Sequence, residues 1–233
     1  IPLRLVGSEM CIRDRVLAEF KGHKINFTGD YKTTKDLTCT NFEPVKCHTL
    51  VTEATFGLPV FQHPNEKKEI QKLIKSLSLF PERPHLVGVY ALGKAQRVIN
   101  LLRLEGYDKN IFIHGSLEKL CDYYDKNHIK LGDLTKVNLS NKNQYNGQII
   151  LAPPSAIKNV WARKFEDPII CQASGWMAIK QRAKQSLVEL PLILSDHADW
   201  SELTQYIKFT NAEKIYVTHG REEAIIHLSL IHI

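Results

Sequence analysis

His85-Leu86-Val87-Gly88-Val89-Tyr90-Ala91-Leu92-Gly93-Lys94-Ala95-Gln96-Arg97-Val98-Ile99-Asn100-Leu101-Leu102 sets two patterns back to back. The opening run through Tyr90 is unbroken and apolar, as in a strand buried on both faces; a half-exposed strand would alternate. From Gly93 to Leu104 the period lengthens to that of a helix. A buried strand turning through glycine into a helix is the repeating unit of a layered α/β fold.

The unit recurs on both sides. Val16–Phe20 and Lys24–Phe27 read as short strands joined at Gly22, and Thr49–Thr52 as the next strand. From Asn65 to Leu79, Ile70, Leu73, Ile74 and Leu77 share one helical face, while Glu66, Lys67, Lys68 and Lys72 face water. Then follow strand Ile111–Ile113, helix Leu117–Lys126, strand Gln148–Leu151, helix Ala156–Arg163 and strand Ile169–Cys171. Strands Leu192–Leu194 and Lys214–Val217 bracket a helix from Trp200 to Phe209. The polar, Asn/Lys-rich stretch Gly132–Gly147 is the expected exposed excursion.

With 233 residues, 43% hydrophobic and 24% charged, the chain suits one large globular domain or two modest ones. No stretch approaches the ~18 apolar residues of a membrane span, and none has the layout of a signal peptide, so a cytoplasmic protein without a membrane partner is expected. Five scattered cysteines without a C-x-x-C pair exclude a zinc ribbon or a disulfide framework. A net charge of +6 favours a polyanionic partner.

The two ends break the patterning. Met10–Arg15 back-translates to ATG TGT ATA AGA GAC AGN and Leu228–Ile233 to CTG TCT CTT ATA CAC ATC, which are reverse complements apart from the last nucleotide of each. Such strings look like the mosaic end of a transposase-based sequencing adapter. Residues 1–15 and 228–233 are therefore expected to be adapter-derived, leaving 16–227 for fold reasoning.

Four strand ends carry a residue able to bind a metal or move a proton: Asp30 in Phe27-Thr28-Gly29-Asp30-Tyr31, Glu53 in Val51-Thr52-Glu53-Ala54-Thr55, His197 in Ser195-Asp196-His197-Ala198-Asp199, and His219 in Val217-Thr218-His219-Gly220. Carboxyl ends of strands meet at one edge of an open α/β sheet, so these distant residues can converge. Bland roles compete: an Asp after Gly suits a turn, Asp196 or Asp199 suits a helix N-cap, and a strand-end His is often hydrogen-bonded scaffolding. Residue types and spacing alone reach only a hydrolase. Gly93 and Lys94 open a helix where free N–H groups could receive a phosphate, though G-x-x-x-x-G-K-[ST] is absent. Ser174 and Gly175, with Trp176 as a stacking face, are candidate nucleic-acid contacts, core packing being the alternative for the indole. Arg97, Arg163, Lys164, Lys180, Arg182 and Lys184 are candidate groove charges.

Phe27–Lys32, Val51–Pro59, Ala91–Gln96, Ser195–Trp200 and Val217–Arg221 stand in the order and rough spacing of β-CASP nucleases, and over 16–227 the chain resembles the metallo-β-lactamase/β-CASP superfamily. Glu53–Pro59, Ala173–Met177 and Asp196–Trp200 are similar to the bacterial DNA-ligase-associated DNA exonucleases rather than to the messenger-RNA 3′-end cleavage branch. The resemblance implies an α/β chain: a partial metallo-β-lactamase αββα fold (16–57 and 191–227) with an inserted β-CASP α/β domain (58–190). It implies DNA phosphodiester hydrolysis with two divalent metal ions, zinc or manganese. The implied partners are DNA, as single strand or duplex end, and an ATP-dependent DNA ligase and helicase. Asp30 matches the metal-bridging aspartate, His219 the late metal-ligating histidine, His197 the catalytic histidine, and Glu53 the acid that orients it. An RNA-processing relative and a catalytically dead nucleic-acid-binding scaffold are the alternatives.

The chain departs from that pattern where the superfamily carries H-x-H-x-D-H. Before Glu53 the only histidines are His23 and His48, and neither is followed by the motif. A further histidine ligand ahead of Asp30 is also missing unless His23 takes its place. The expectation is an N-terminally truncated body, inactive as it stands, of an active parent.

Overall fold

The computed structural model describes residues 3–6, 15–140 and 143–232, with backbone alone at 3–6, 143 and 229–232. Residues 1–2, 7–14 and 233 of the two adapter-like ends lie outside the described residues. The chain divides into two compact units: residues up to His63 with those from Asp196 onward, and Pro64–Ser195.

The first unit is built on a five-stranded sheet in the order β1 (Leu3–Val6), β2 (Arg15–Phe20), β3 (His23–Phe27), β4 (Thr49–Ala54) and β11 (Lys214–Gly220). A tight turn at Lys21 and Gly22, both with positive φ, folds β2 onto β3 antiparallel, the twist a two-residue hairpin needs. β3, β4 and β11 run parallel, so their carboxyl ends meet at one edge. The expected start at residue 16 falls one residue inside β2. Arg15 is buried, with its guanidinium 4.2 Å from the Phe42 ring centre and donating to the Glu43 carbonyl.

One face of this sheet packs Leu50 and Ala54 against Tyr31 and against Leu203, Tyr206 and Ile207 of α6 (Trp200–Thr210), with Ile225 of α7 (Glu222–His232). On the other face the in-register row Tyr216, Val51, Phe27 and Val16 runs across the strands, with Phe20 two alternations further along β2. That face is open to water: Phe20 is 57%, Phe27 43% and Tyr216 56% exposed.

The second unit is a six-stranded, all-parallel sheet in the order β10 (Leu190–Leu192), β9 (Ile169–Ala173), β5 (His85–Gly88), β8 (Ile149–Ala152), β6 (Ile111–Ile113) and β7 (Leu134–Lys136). Val87, Ile149 and Leu151 meet Leu73 of α1 (Glu66–Leu79), Val98 and Leu102 of α2 (Lys94–Leu104) and Leu117 of α3 (Gly115–Lys126). Leu86 and Ile150 point the other way, onto Tyr145, Ala162 and Phe165. Both faces of β5 and β8 are buried, which is why those segments read as unbroken apolar runs.

Three expectations shift. The helix expected at Ala156–Arg163 is instead α4 (Pro154–Ile157) and a 3₁₀ turn at Ala162–Lys164. Proline at the first helical position starts α4, and Asn159 Nδ2 donates to the Ser155 carbonyl just past its end. The stretch Gly132–Gly147 is largely exposed, as expected, but it is no simple excursion: it supplies edge strand β7 and the buried Tyr145, whose hydroxyl is satisfied by the Asn138 backbone. The expected boundary after residue 190 falls inside β10, which is hydrogen-bonded to β9 from Leu190 to Leu192. The Lys/Gln-rich stretch beyond Trp176 forms α5 (Lys180–Gln185). Among the described residues no helix is long and apolar enough to cross a membrane.

Candidate active site

Glu53 lies near the carboxyl end of β4, 3% exposed, with both carboxylate oxygens engaged. Oε1 accepts the Tyr31 amide at 2.9 Å. Oε2 accepts the Thr55 hydroxyl at 2.6 Å and lies 2.8 Å from His197 Nδ1. That contact places the Nδ1 proton on the Glu53 side of the ring. Asp30 Oδ1 is 3.9 Å from the same nitrogen, on a half-exposed side chain. Among the described residues, Asp30, Glu53 and His197 form the group of potential metal ligands whose donor atoms all lie within 4.8 Å of one another. Burial pulls the His197 pKa down, but the hydrogen bond and charge of Glu53, with the charges of Asp30 and Asp196, outweigh it and raise the imidazole above its ordinary value.

The local chain explains the convergence. Beyond β3, the Thr28 amide still bonds to the Val51 carbonyl, and Gly29 turns the chain at φ 55°. Asp30 thus projects at the edge while Tyr31 folds inward, fully buried. The Tyr31 carbonyl accepts the Ala198 amide, joining the Asp30 loop to the His197 loop. Asp199 caps α6: one carboxylate oxygen accepts the Glu202 amide, the other the His63 amide. Glu202, which the sequence reading missed, completes a capping box with Asp199, and the Asp-x-x-Glu spacing was its one local signal.

His219 sits at the same edge but outside the group. It occupies the irregularity between Thr218, paired with Glu53, and Gly220, paired with Ala54, where its own φ is 58° and its side chain is exposed. Gly220 is required there: at φ +106° an added Cβ would meet the Ala54 oxygen at 2.0 Å. His23 does not stand in for a missing ligand. It is 3.1 Å from Thr49 Oγ1 and stacks on His48, whose Nδ1 accepts the Lys24 amide. Thr49 opens β4, about 13 Å along the strand from Glu53.

The donor set fits part of a metal centre. Glu53 and the Nδ1 of His197 are committed to each other, which leaves the Asp30 carboxylate and the neighbouring His219 imidazole as available donors. A catalytic zinc takes three protein ligands and a structural one four, so the described residues do not by themselves complete a site for two ions.

The candidate contacts of the second unit divide. Gly93 precedes α2 at φ 79°, its amide bound to Gln96 Oε1. Lys94 is buried, its ammonium 2.7 Å from the Leu194 carbonyl, and Arg97 is buried against Glu66 and the Ser195 carbonyl. Both cations are thus buried rather than solvent-facing. Ser174 accepts the Trp176 amide, Gly175 is buried, and the Arg182 guanidinium lies 4.0 Å from the Trp176 ring centre. Arg163 and Lys164 are exposed.

Residues 191–230 match the family model described as "Zn-dependent metallo-hydrolase RNA specificity domain". A protein named Probable DNA ligase from Opitutus terrae is 22% identical over 223 residues, covering 93% of this chain and 21% of that protein. Endoribonuclease YSH1 of Saccharomyces cerevisiae is 23% identical over 260 residues, covering 87% of this chain and 33% of that one. The chain thus spans between about a fifth and a third of these relatives' lengths. A solved structure of a protein of unknown function from Enterococcus faecalis V583 aligns over 90% of this chain and 55% of that one, at a TM-score of 0.56 and 11% identity. That likeness speaks to the fold.

Proposed function

We propose, on the premise that the chain belongs to the metallo-β-lactamase/β-CASP superfamily, that it carries the proton-donating part of a metal-dependent phosphodiesterase acting on nucleic acid, with DNA as its substrate. The observation that carries the reading is the 2.8 Å pairing of His197 Nδ1 with a buried Glu53 beside the exposed Asp30. A carboxylate that fixes one ring nitrogen leaves the other to present a proton, and the raised pKa keeps that proton available near neutral pH.

In this reading His197 protonates the leaving oxygen, and Glu53 orients the ring and stabilises its cation. Asp30 and His219 are this chain's ligands to a divalent ion, zinc or manganese. When bound, that ion supplies Lewis acidity toward a phosphodiester oxygen and lowers the pKa of a bound water. The remaining ligands would come from an H-x-H-x-D-H segment upstream in the parent. DNA is favoured by the match along 93% of the chain to a protein named for DNA ligation, and a net charge of +6 suits either polyanion. An RNA substrate is the second reading, favoured by the description matched at residues 191–230 and by the yeast endoribonuclease.

The test uses end-labelled DNA and RNA of one sequence, incubated in zinc or manganese with the chain and with the longest product of its gene. Nucleotide release from DNA alone supports the proposal, and cleavage of RNA alone replaces it with the ribonuclease reading. Binding without cleavage by a gene product that lacks H-x-H-x-D-H leaves a nucleic-acid-binding scaffold.

A further inference from the structure

We infer that Glu202 is a positioning residue of this site: its single carboxylate clasps the loop that carries Asp30 to the start of the helix that follows His197. The inference rests on the reading of Asp30 and His197 as functional and adds a residue that none of the motifs contains.

The clasp fills the carboxylate's accepting capacity, with donors sharing Oε1. Oε1 accepts the Thr33 amide at 3.0 Å, the Thr33 hydroxyl at 2.7 Å, the Thr34 amide at 3.0 Å and the Thr34 hydroxyl at 2.9 Å. Oε2 accepts the buried Lys32 ammonium and the Asp199 amide, each at 3.1 Å. Two loops far apart in sequence are thereby tied to one rigid group on the first turn of α6. Glu53 makes a second tie of the same kind, holding the Tyr31 amide and the His197 ring. Asp30 directly precedes these anchors, so its 3.9 Å distance from His197 rests on two carboxylates that hold the consecutive residues Tyr31 to Thr34.

A capping box alone explains one of these contacts, the Asp199 amide. Two backbone amides, two hydroxyls and a buried ammonium from a single loop go beyond what a helix start requires. Substituting Glu202 leaves those donors without their acceptor in a partly buried place, so the loop should open locally before the unit melts.

The experiment compares Glu202→Ala and Glu202→Gln with Ile207→Ala, a cavity variant on the same helix, at matched distance below each melting temperature. Amide hydrogen exchange at Thr33 and Thr34 is read first. Zinc affinity, by competition with a chromophoric chelator, is read second, with the same substitutions placed in the longest product of the gene. Exchange about tenfold or more faster in Glu202→Ala than in Ile207→Ala, with zinc bound about tenfold more weakly than in Ile207→Ala, is the expected result. Glu202→Gln, which keeps the shape and one acceptor, should fall between and remains informative if the alanine variant does not fold. Exchange no faster than in Ile207→Ala overturns the inference, as does an equal loss of zinc affinity in Ile207→Ala. If the unsubstituted longest product of the gene binds no zinc while the exchange difference holds, the clasp stands and the metal reading of the site falls.

Discussion

Glu53 and His197 meet at 2.8 Å although 144 residues separate them, and the carboxylate is 3% exposed while the ring is partly open. The pair therefore has a fixed inner member and an outer member able to exchange protons with solvent. In an NMR titration the His197 midpoint should lie above the ordinary histidine value of about 6.5, while His85 and His114, both lowered by burial, should lie below it. A folded pKa above the unfolded one contributes stability that is complete below about pH 6.5 and is lost as pH rises through the folded midpoint. Glu53→Gln should bring the His197 midpoint down, and an unmoved midpoint would remove Glu53 as the cause.

Catalytic and ligating histidines separate by readout. In the longest active product of the gene, His197→Ala should lower turnover by roughly 10²–10⁴-fold with metal content unchanged. His219→Ala should lower metal occupancy. Full turnover in the first, or full occupancy in the second, reverses the assignment concerned.

Burial alone would raise the Glu202 carboxyl, but the Lys32 ammonium and hydrogen bonds from Thr33, Asp199 and Thr34 hold its pKa at about 2. A depressed pKa of this kind gives stability that is present above about pH 4.3 and lost as pH falls through the folded value. Lys32→Met should shift acid unfolding, followed by circular dichroism, to higher pH. An unchanged acid midpoint would mean that the ammonium is not what holds the carboxylate ionised.

Gly220→Ala sets a methyl group against the Ala54 carbonyl at a φ that side chains rarely adopt. The variant should lose about 2 kcal/mol or more in denaturant unfolding and displace His219, so metal occupancy should fall with it. Wild-type stability would show that the strand end relaxes without cost.

Among the cations, Lys94 and the Arg163–Lys164 pair should behave oppositely. Lys94→Met leaves the Leu194 carbonyl unpaired inside its unit and should cost stability without changing the salt dependence of DNA binding. Arg163→Gln with Lys164→Gln should flatten the slope of log affinity against log salt by about one unit per lost phosphate contact. An unaltered slope would take the pair out of the interface.

The alternation of apolar runs and helical periods located β5 and β8 because both are short, local and buried on both faces, as Leu86, Val87, Ile150 and Leu151 show, whereas the half-exposed edge strand β7 left no such run. The four strand-end residues were legible too, but only three come together, since the irregularity at His219 turns on the backbone of Gly220 and Ala54 rather than on any pattern in sequence. Tyr145 lay inside a polar stretch and became core through a hydroxyl satisfied by Asn138, a contact no hydropathy pattern encodes. The Glu202 clasp spans 168 to 170 positions and joins a helix to a loop, so only its capping-box half left a local trace.

The row of rings across the first sheet has a consequence for handling rather than for chemistry. Phe20, Phe27 and Tyr216 present aromatic surface to solvent, and solutes excluded from protein surfaces, such as sulfate, favour any arrangement that hides it. The chain's solubility should therefore fall as sulfate is raised and recover when Phe27 is replaced by serine, which makes the salting-out curve a direct gauge of how sticky that face is.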